Sequence, residues 1–198
     1  MTVPKEIGSA SEFGQKLEDL VVARKQCPAG DRNVLLIGYW SLIFDYHKGI
    51  LCLLTNDFCG SAFALVRPVV EALLRSHVVL MGSDEDVRKI RNDEYTVNFK
   101  TVSAQIDTAF GLNGFFDNLL KGARSALHSF THSGVSQLGR RFEGTDLKPA
   151  YSGEEIIEVI RTTTTAVFLV TILVTKHFRF EQEAKTAEEL FAEWGKHP

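Results

Sequence analysis

Thr162-Thr163-Thr164-Thr165-Ala166-Val167-Phe168-Leu169-Val170-Thr171-Ile172-Leu173-Val174-Thr175 is the stretch on which the fold turns. Its β-branched residues favour a strand on propensity alone. Its length, and the capping signal Ser152-Gly153-Glu154-Glu155 ahead of it, favour a helix. We read a helix over 153–178. A strand there would break an all-α assignment. The run is uncharged but falls short of the roughly 20 residues of a membrane span. So does the run from Asn33 to Phe44, and both read as buried helix segments.

Outward from this stretch, helix starts and stops recur. Ser9-Ala10-Ser11-Glu12 and Thr186-Ala187-Glu188-Glu189 repeat the capping pattern, and Ser83-Asp84-Glu85-Asp86 places three acids in a first turn. Pro28-Ala29-Gly30, Asn56 to Gly60, Gly82, Gly111 to Gly114 and Ser133-Gly134 read as stops. The expectation is an all-α bundle of about six to seven helices over 9–26, 32–56, 61–81, 84–109, 114–132, 153–178 and 186–194. The second and third are apolar nearly all round, which places them at the centre of the bundle or at an oligomer interface. Residues 1–198 read as a single helical domain. Within it, 1–30 form an N-terminal helix and linker, 31–132 the core helices, 133–151 a basic loop and 152–198 the C-terminal helices.

Composition narrows the function classes. Hydrophobic residues make up 44% and charged residues 24%, within the globular range. A formal net charge of -3 argues against a generic nucleic-acid coat or a polybasic membrane binder. Cys27, Cys52 and Cys59 form no C-x-x-C pair, and Cys52 and Cys59 read as small core residues. A reducing compartment follows, and with no apolar leader in Met1 to Glu6 the expected localisation is cytoplasmic.

Two polar ladders could carry chemistry. Arg67, Glu71 and Arg75 step by four through the third helix and span only about 80° of its circumference. Glu71 is placed to pair with both arginines, either as a structural network or as part of an anion-binding cleft. Pro68 interrupts the same helix and favours a kink. Arg124, His128 and His132 step by four along the fifth helix, flanking its apolar stripe. Two histidines can serve as base and acid while an arginine holds a phosphate, the minimum for cleaving RNA without a metal. Arg140 and Arg141, in the loop that also carries Lys148, could add phosphate contacts together with Lys121. The plainer alternative is two polar helix residues near a helix C-terminus. A metal at the His pair would want carboxylates opposite, and Glu71 is the one deeply embedded candidate; no metal and no cofactor are expected. His47 and Asp45 read as satisfied interior groups, and His77 and His177 belong to no constellation.

Two segments resemble a known group. His47-Lys48-Gly49-Ile50 with Gly60-Ser61-Ala62-Phe63-Ala64-Leu65-Val66-Arg67-Pro68 and Glu71 form the first. Ser129-Phe130-Thr131-His132-Ser133-Gly134 with Gln137-Leu138 and Arg140-Arg141 form the second. Over residues 40 to 165 the chain resembles bacterial helical proteins of unknown function, which are in turn distantly similar to HEPN-like domains. That resemblance implies an all-α bundle that often dimerises and, in many members, a metal-independent endoribonuclease of toxin–antitoxin or antiphage systems. Their nuclease motif sets four to six residues between an arginine and a histidine. Here Arg124 has three before His128 and seven before His132, while Ser125 supplies the polar residue that follows the arginine.

Two readings therefore stand. One is an endoribonuclease, homodimeric, with Arg124, His128 and His132 as catalytic groups. The other is a non-catalytic binding or interaction module in which Arg67, Glu71 and Arg75 form a structural network and the face bearing His128 and His132 contacts a partner protein or small anion. Arg140 and Arg141 stay binding candidates, for RNA in the first reading, and no membrane is expected. Both assume that the two ladders meet.

Overall fold

The computed structural model describes residues 2–24, 29–111, 113–114, 117–118 and 134–196. Among these residues the protein is an all-α bundle with one two-residue hairpin. The helices are α1 (Val3–Val22), α2 (Asp31–Thr55), α3 (Cys59–Met81), α4 (Asp84–Arg91), α5 (Phe99–Phe110), α6 (Val135–Gly139), α7 (Gly153–His177) and α8 (Glu181–Trp194). Strands β1 (Phe142–Glu143) and β2 (Asp146–Leu147) pair antiparallel between α6 and α7.

The threonine-rich stretch is helical, and it forms the centre of the bundle. Helix α7 packs on α1, α2, α3 and α8. Each buried threonine folds its hydroxyl back on the preceding turn. Thr164 donates to the Ile160 carbonyl at 2.7 Å, Thr171 to Val167 at 2.8 Å and Thr175 to Thr171 at 2.8 Å. The hydroxyls are thus satisfied within the helix, as burial demands. A β-branched residue costs a helix well under ~1 kcal/mol. Burying a valine, leucine or isoleucine side chain contributes about 1.5–3 kcal/mol. Val167, Leu169, Val170, Ile172 and Val174 are all buried, so packing overrides propensity. Two threonines also cross-link α7 to α2. Trp40 Nε1 donates to Thr171 Oγ1 at 3.3 Å, and His47 Nδ1 meets Thr163 Oγ1 at 3.1 Å. The rising number on one helix against the falling number on the other makes α2 and α7 antiparallel.

Several expectations need correction. Helix α3 is buried as expected, whereas α2 leaves Val34 and Leu42 exposed, and α7 shares the centre. As a full helix α7 spans 25 residues and is long and apolar enough to cross a membrane by length and composition. The other helices occupy its apolar surface. Helix α1 starts at Val3, with Pro4 in its first turn where a missing N–H costs little, so Ser9 and Glu12 lie inside it. Helix α8 likewise starts before the expected cap, and Thr186 donates to the Gln182 carbonyl at 2.9 Å within the helix. The expected helix over 84–109 is two helices. Asp93 takes φ 57 and ends α4, and Asn98 caps α5 by accepting from the Thr101 amide at 3.1 Å. The boxes at Ser83 with Asp86 and Ser152 with Glu155 form as expected. Helix α3 continues through Pro68.

Helix α8 closes over α1 and α7 through aromatic rings. Phe13 stacks on Trp194 at 5.4 Å between centroids, and Phe168 stacks on Phe191 at 3.9 Å. Cys59 is buried as expected, whereas Cys52 is exposed on the outer side of α2.

Candidate anion-binding face on the third helix

Taking Gly60 as the zero angle of α3, Phe63, Ala64, Arg67, Glu71 and Arg75 fall within about 60° of it. One face therefore carries the glycine and the whole first ladder. Arg67 Nε donates to Glu71 Oε1 at 2.8 Å, and the Arg67 guanidinium lies 5.9 Å from the Phe99 ring centroid. Both members of this pair are half-buried. The expected Arg–Glu–Arg network reduces to this one pair. Side chains on a helix lean toward its N-terminus, so Glu71 reaches back to Arg67. Arg75 forms no ion pair among the described residues. Its charge instead acts on Tyr95, whose phenol burial pushes up.

The loop expected at 133–151 folds over the start of this face. Gln137 Nε2 donates to the Gly60 carbonyl at 3.3 Å. Arg140 and Ala150 hold the two ends of the hairpin together, with the Ala150 amide donating to the Arg140 carbonyl at 2.9 Å. Arg140 then grips Glu155 with both terminal nitrogens, one of them at 2.8 Å from Oε2. Glu155 also caps α7, so this single carboxylate ties the loop to the central helix. Burial opposes its ionisation, but the Ser152 amide and the Arg140 guanidinium hold its carboxyl below the usual range. Lys148 is spent on Glu143 at 2.5 Å.

Arg141 is left to a different role. A Cβ built at position 60 would stand 3.1 Å from Arg141 Nη2 and 3.0 Å from Tyr151 Oη. Glycine is thus what lets both groups lie against the α3 backbone. Tyr151 packs its ring on Phe63, with centroids 4.9 Å apart. Burial pushes the Tyr151 phenol up, and Arg141 pulls it part of the way back. Arg141 is exposed, and among the described residues no carboxylate pairs with it. An unspent guanidinium near the first turn of a long helix is suited to a phosphate or carboxylate, through bidentate N–H donors and the positive helix end.

The structure therefore brings Arg67, Glu71, Arg140 and Arg141 onto one side, with Arg75 further along the same helix. Arg124, His128 and His132 lie outside the described residues. Of the helix expected over 114–132, the described part holds Asp117, whose amide donates to Asp107 Oδ2 at 2.8 Å and whose Oδ1 accepts from Ser103 at 2.6 Å. Among the described residues no group of three or more His, Cys, Asp or Glu is placed to hold a metal ion. Glu71 is not the deeply embedded carboxylate. That place belongs to Glu6, 2% exposed, whose Oε1 accepts from Arg161 at 2.9 Å, and to Asp107, 6% exposed.

Three histidines need a new reading. His47 is buried and meets Thr163, but its Nε2 has no hydrogen-bond partner, and Asp45 beside it is exposed rather than interior. His77 and His177 line one cavity between α3 and α7. No local pattern could join residues a hundred positions apart.

Fold and face together define an all-α bundle with a cationic loop laid across its third helix. The chain belongs to DUF6988, a family of unknown function, whose model matches residues 40–194. The match takes in the whole α3 face and the loop, while α1 lies outside it. No curated protein and no solved structure matches the chain.

Proposed function

We propose that this protein is a helical binding module that takes a phosphate-bearing ligand, RNA first among them, on the α3 face beneath the loop. The observation that carries this reading is the placement of Arg141. Its neighbours Arg67, Arg140 and Lys148 are each committed to a carboxylate, whereas Arg141 is seated on Gly60 and faces solvent. The acidic net charge of -3 fits a local contact rather than a general affinity for nucleic acid. A homodimer is part of the proposal. Val135, Leu138, Phe142 and Leu147 expose apolar side chains on the loop beside the face, a surface suited to a second copy. A cytoplasmic site accords with the free thiols Cys52 and Cys59. The test is fluorescence anisotropy with a short single-stranded RNA. Arg141→Ala should weaken binding about tenfold, the loss of one charge-assisted contact of about 1.5 kcal/mol. Equal affinity of the two proteins would remove the proposal.

A second reading adds catalysis, as an endoribonuclease of HEPN type in antiphage defence or a toxin–antitoxin pair. It is favoured by Arg124, His128 and His132, the last only five residues ahead of Gln137, which bonds to Gly60. Total RNA incubated with the protein in EDTA should be cut, and His132→Ala should not cut it. No cleavage by the native protein, or equal cleavage by both, leaves the binding module alone.

A further inference from the structure

The cavity that joins His77 to His177 opens on a different side of α3 from Gly60. It has a volume of about 470 Å³, the size of a small-molecule site. Leu80, Phe110, Phe168 and Ile172 give it apolar and aromatic walls. His77 is 3% exposed, and its Nδ1 is sealed without a hydrogen-bond partner. Nε2 is therefore the atom through which this ring can meet a guest. Burial lowers the proton affinity of His77, so the ring is neutral near pH 7. At the rim Lys176 is bound to Glu188 at 3.1 Å, so among the described residues that line the cavity neither sign of charge is left over. The C-terminal ends of α3 and α7 lie here and add negative potential, which disfavours a carboxylate. A cation would gain a little from that potential, but either ion would lose more by giving up its hydration to these apolar walls, while a flat apolar molecule would gain the walls.

We propose that this cavity binds a small neutral aromatic alcohol of the phenol class, with its ring on the apolar walls and its hydroxyl on His77. A hydroxyl both donates and accepts, so it serves either tautomer of the neutral imidazole.

Calorimetric titration of the full chain with phenol and with toluene tests this. Water holds phenol more strongly than toluene, so a purely apolar cavity would prefer toluene. Phenol is expected to bind at least as tightly as toluene, and to lose about tenfold in His77→Leu while toluene does not. Benzoate and benzylamine are expected to bind at least tenfold more weakly than phenol. In the native protein, phenol is expected to shift the His77 Hε1 resonance, a readout that needs no variant. Leu80→Trp, which fills the cavity, is expected to abolish binding of both neutral probes. A preference for toluene, an ion that outcompetes phenol, an unmoved His77 resonance or undiminished binding in Leu80→Trp would each overturn the proposal.

Discussion

Replacing His47 by glutamine separates the pH sensitivity of the bundle from its packing. The imidazole is 1% exposed between α1, α2 and α7. Burial lowers its pKa from 6.5 to about 4, outweighing the pull of the Ala10 carbonyl, with Lys48 adding to the depression. The unfolded chain therefore takes up this proton at a higher pH than the folded chain does. Stability from this group is complete above pH 6.5 and is lost as pH falls toward 4. At about 1.4 kcal/mol per tenfold change in proton affinity, the full loss is about 3 kcal/mol, of which about 2 kcal/mol has gone by pH 5. Glutamine can still bond to Thr163 and does not titrate. Urea unfolding at pH 8 and pH 5 should show the native protein losing about 2 kcal/mol more than His47→Gln over that interval. The lowered His77 and His177 act in the same direction but are common to both proteins. Equal losses in the two proteins, or a His47 proton resonance titrating near 6.5, would refute the reasoning.

Other perturbations test single joints of the structure. Arg161→Ala strips Glu6 of its partner and leaves a buried carboxylate; since Arg161 is itself partly exposed, the expected loss is about 2 kcal/mol, read by urea unfolding at pH 7. Ser152→Ala removes the α7 capping box and should cost about 1 kcal/mol, with a lower thermal midpoint. Gly60→Ala gains up to about 1 kcal/mol in helix propensity but crowds Tyr151 and Arg141. Its stability should therefore stay within about 1 kcal/mol of native while RNA affinity falls, since the exposed arginine is the group that yields.

Much of the fold was legible in the sequence because its signals are local. The boxes at Ser83 and Ser152 are four-residue patterns, and both form. The same pattern at Ser9 and Thr186 misled, because a box marks a helix start only where the chain ahead of it is not already helical. Helices begun at Val3 and Glu181 already ran through those positions. The break at Asp93 was readable in principle, since Asn92-Asp93 is a pair that tolerates left-handed backbone. The central place of α7 was not readable. Its capping box and length pointed to a helix against the strand preference of its threonines, but the four helices that surround it leave no local mark on its sequence. In the candidate site, the Arg67–Glu71 pair followed from helical spacing. The seating of Arg141 on Gly60 did not, because 80 intervening residues carry no periodic relation between them.

The most direct test of the α3 face follows its backbone amides by ¹⁵N NMR as single-stranded RNA is added at low salt. Expected are the largest shifts at Gly60, Ser61, Gln137 and Tyr151, with the Arg141 Nε–H moving alongside them. Shifts confined to α1 or α8, or no shifts up to millimolar RNA, would contradict it.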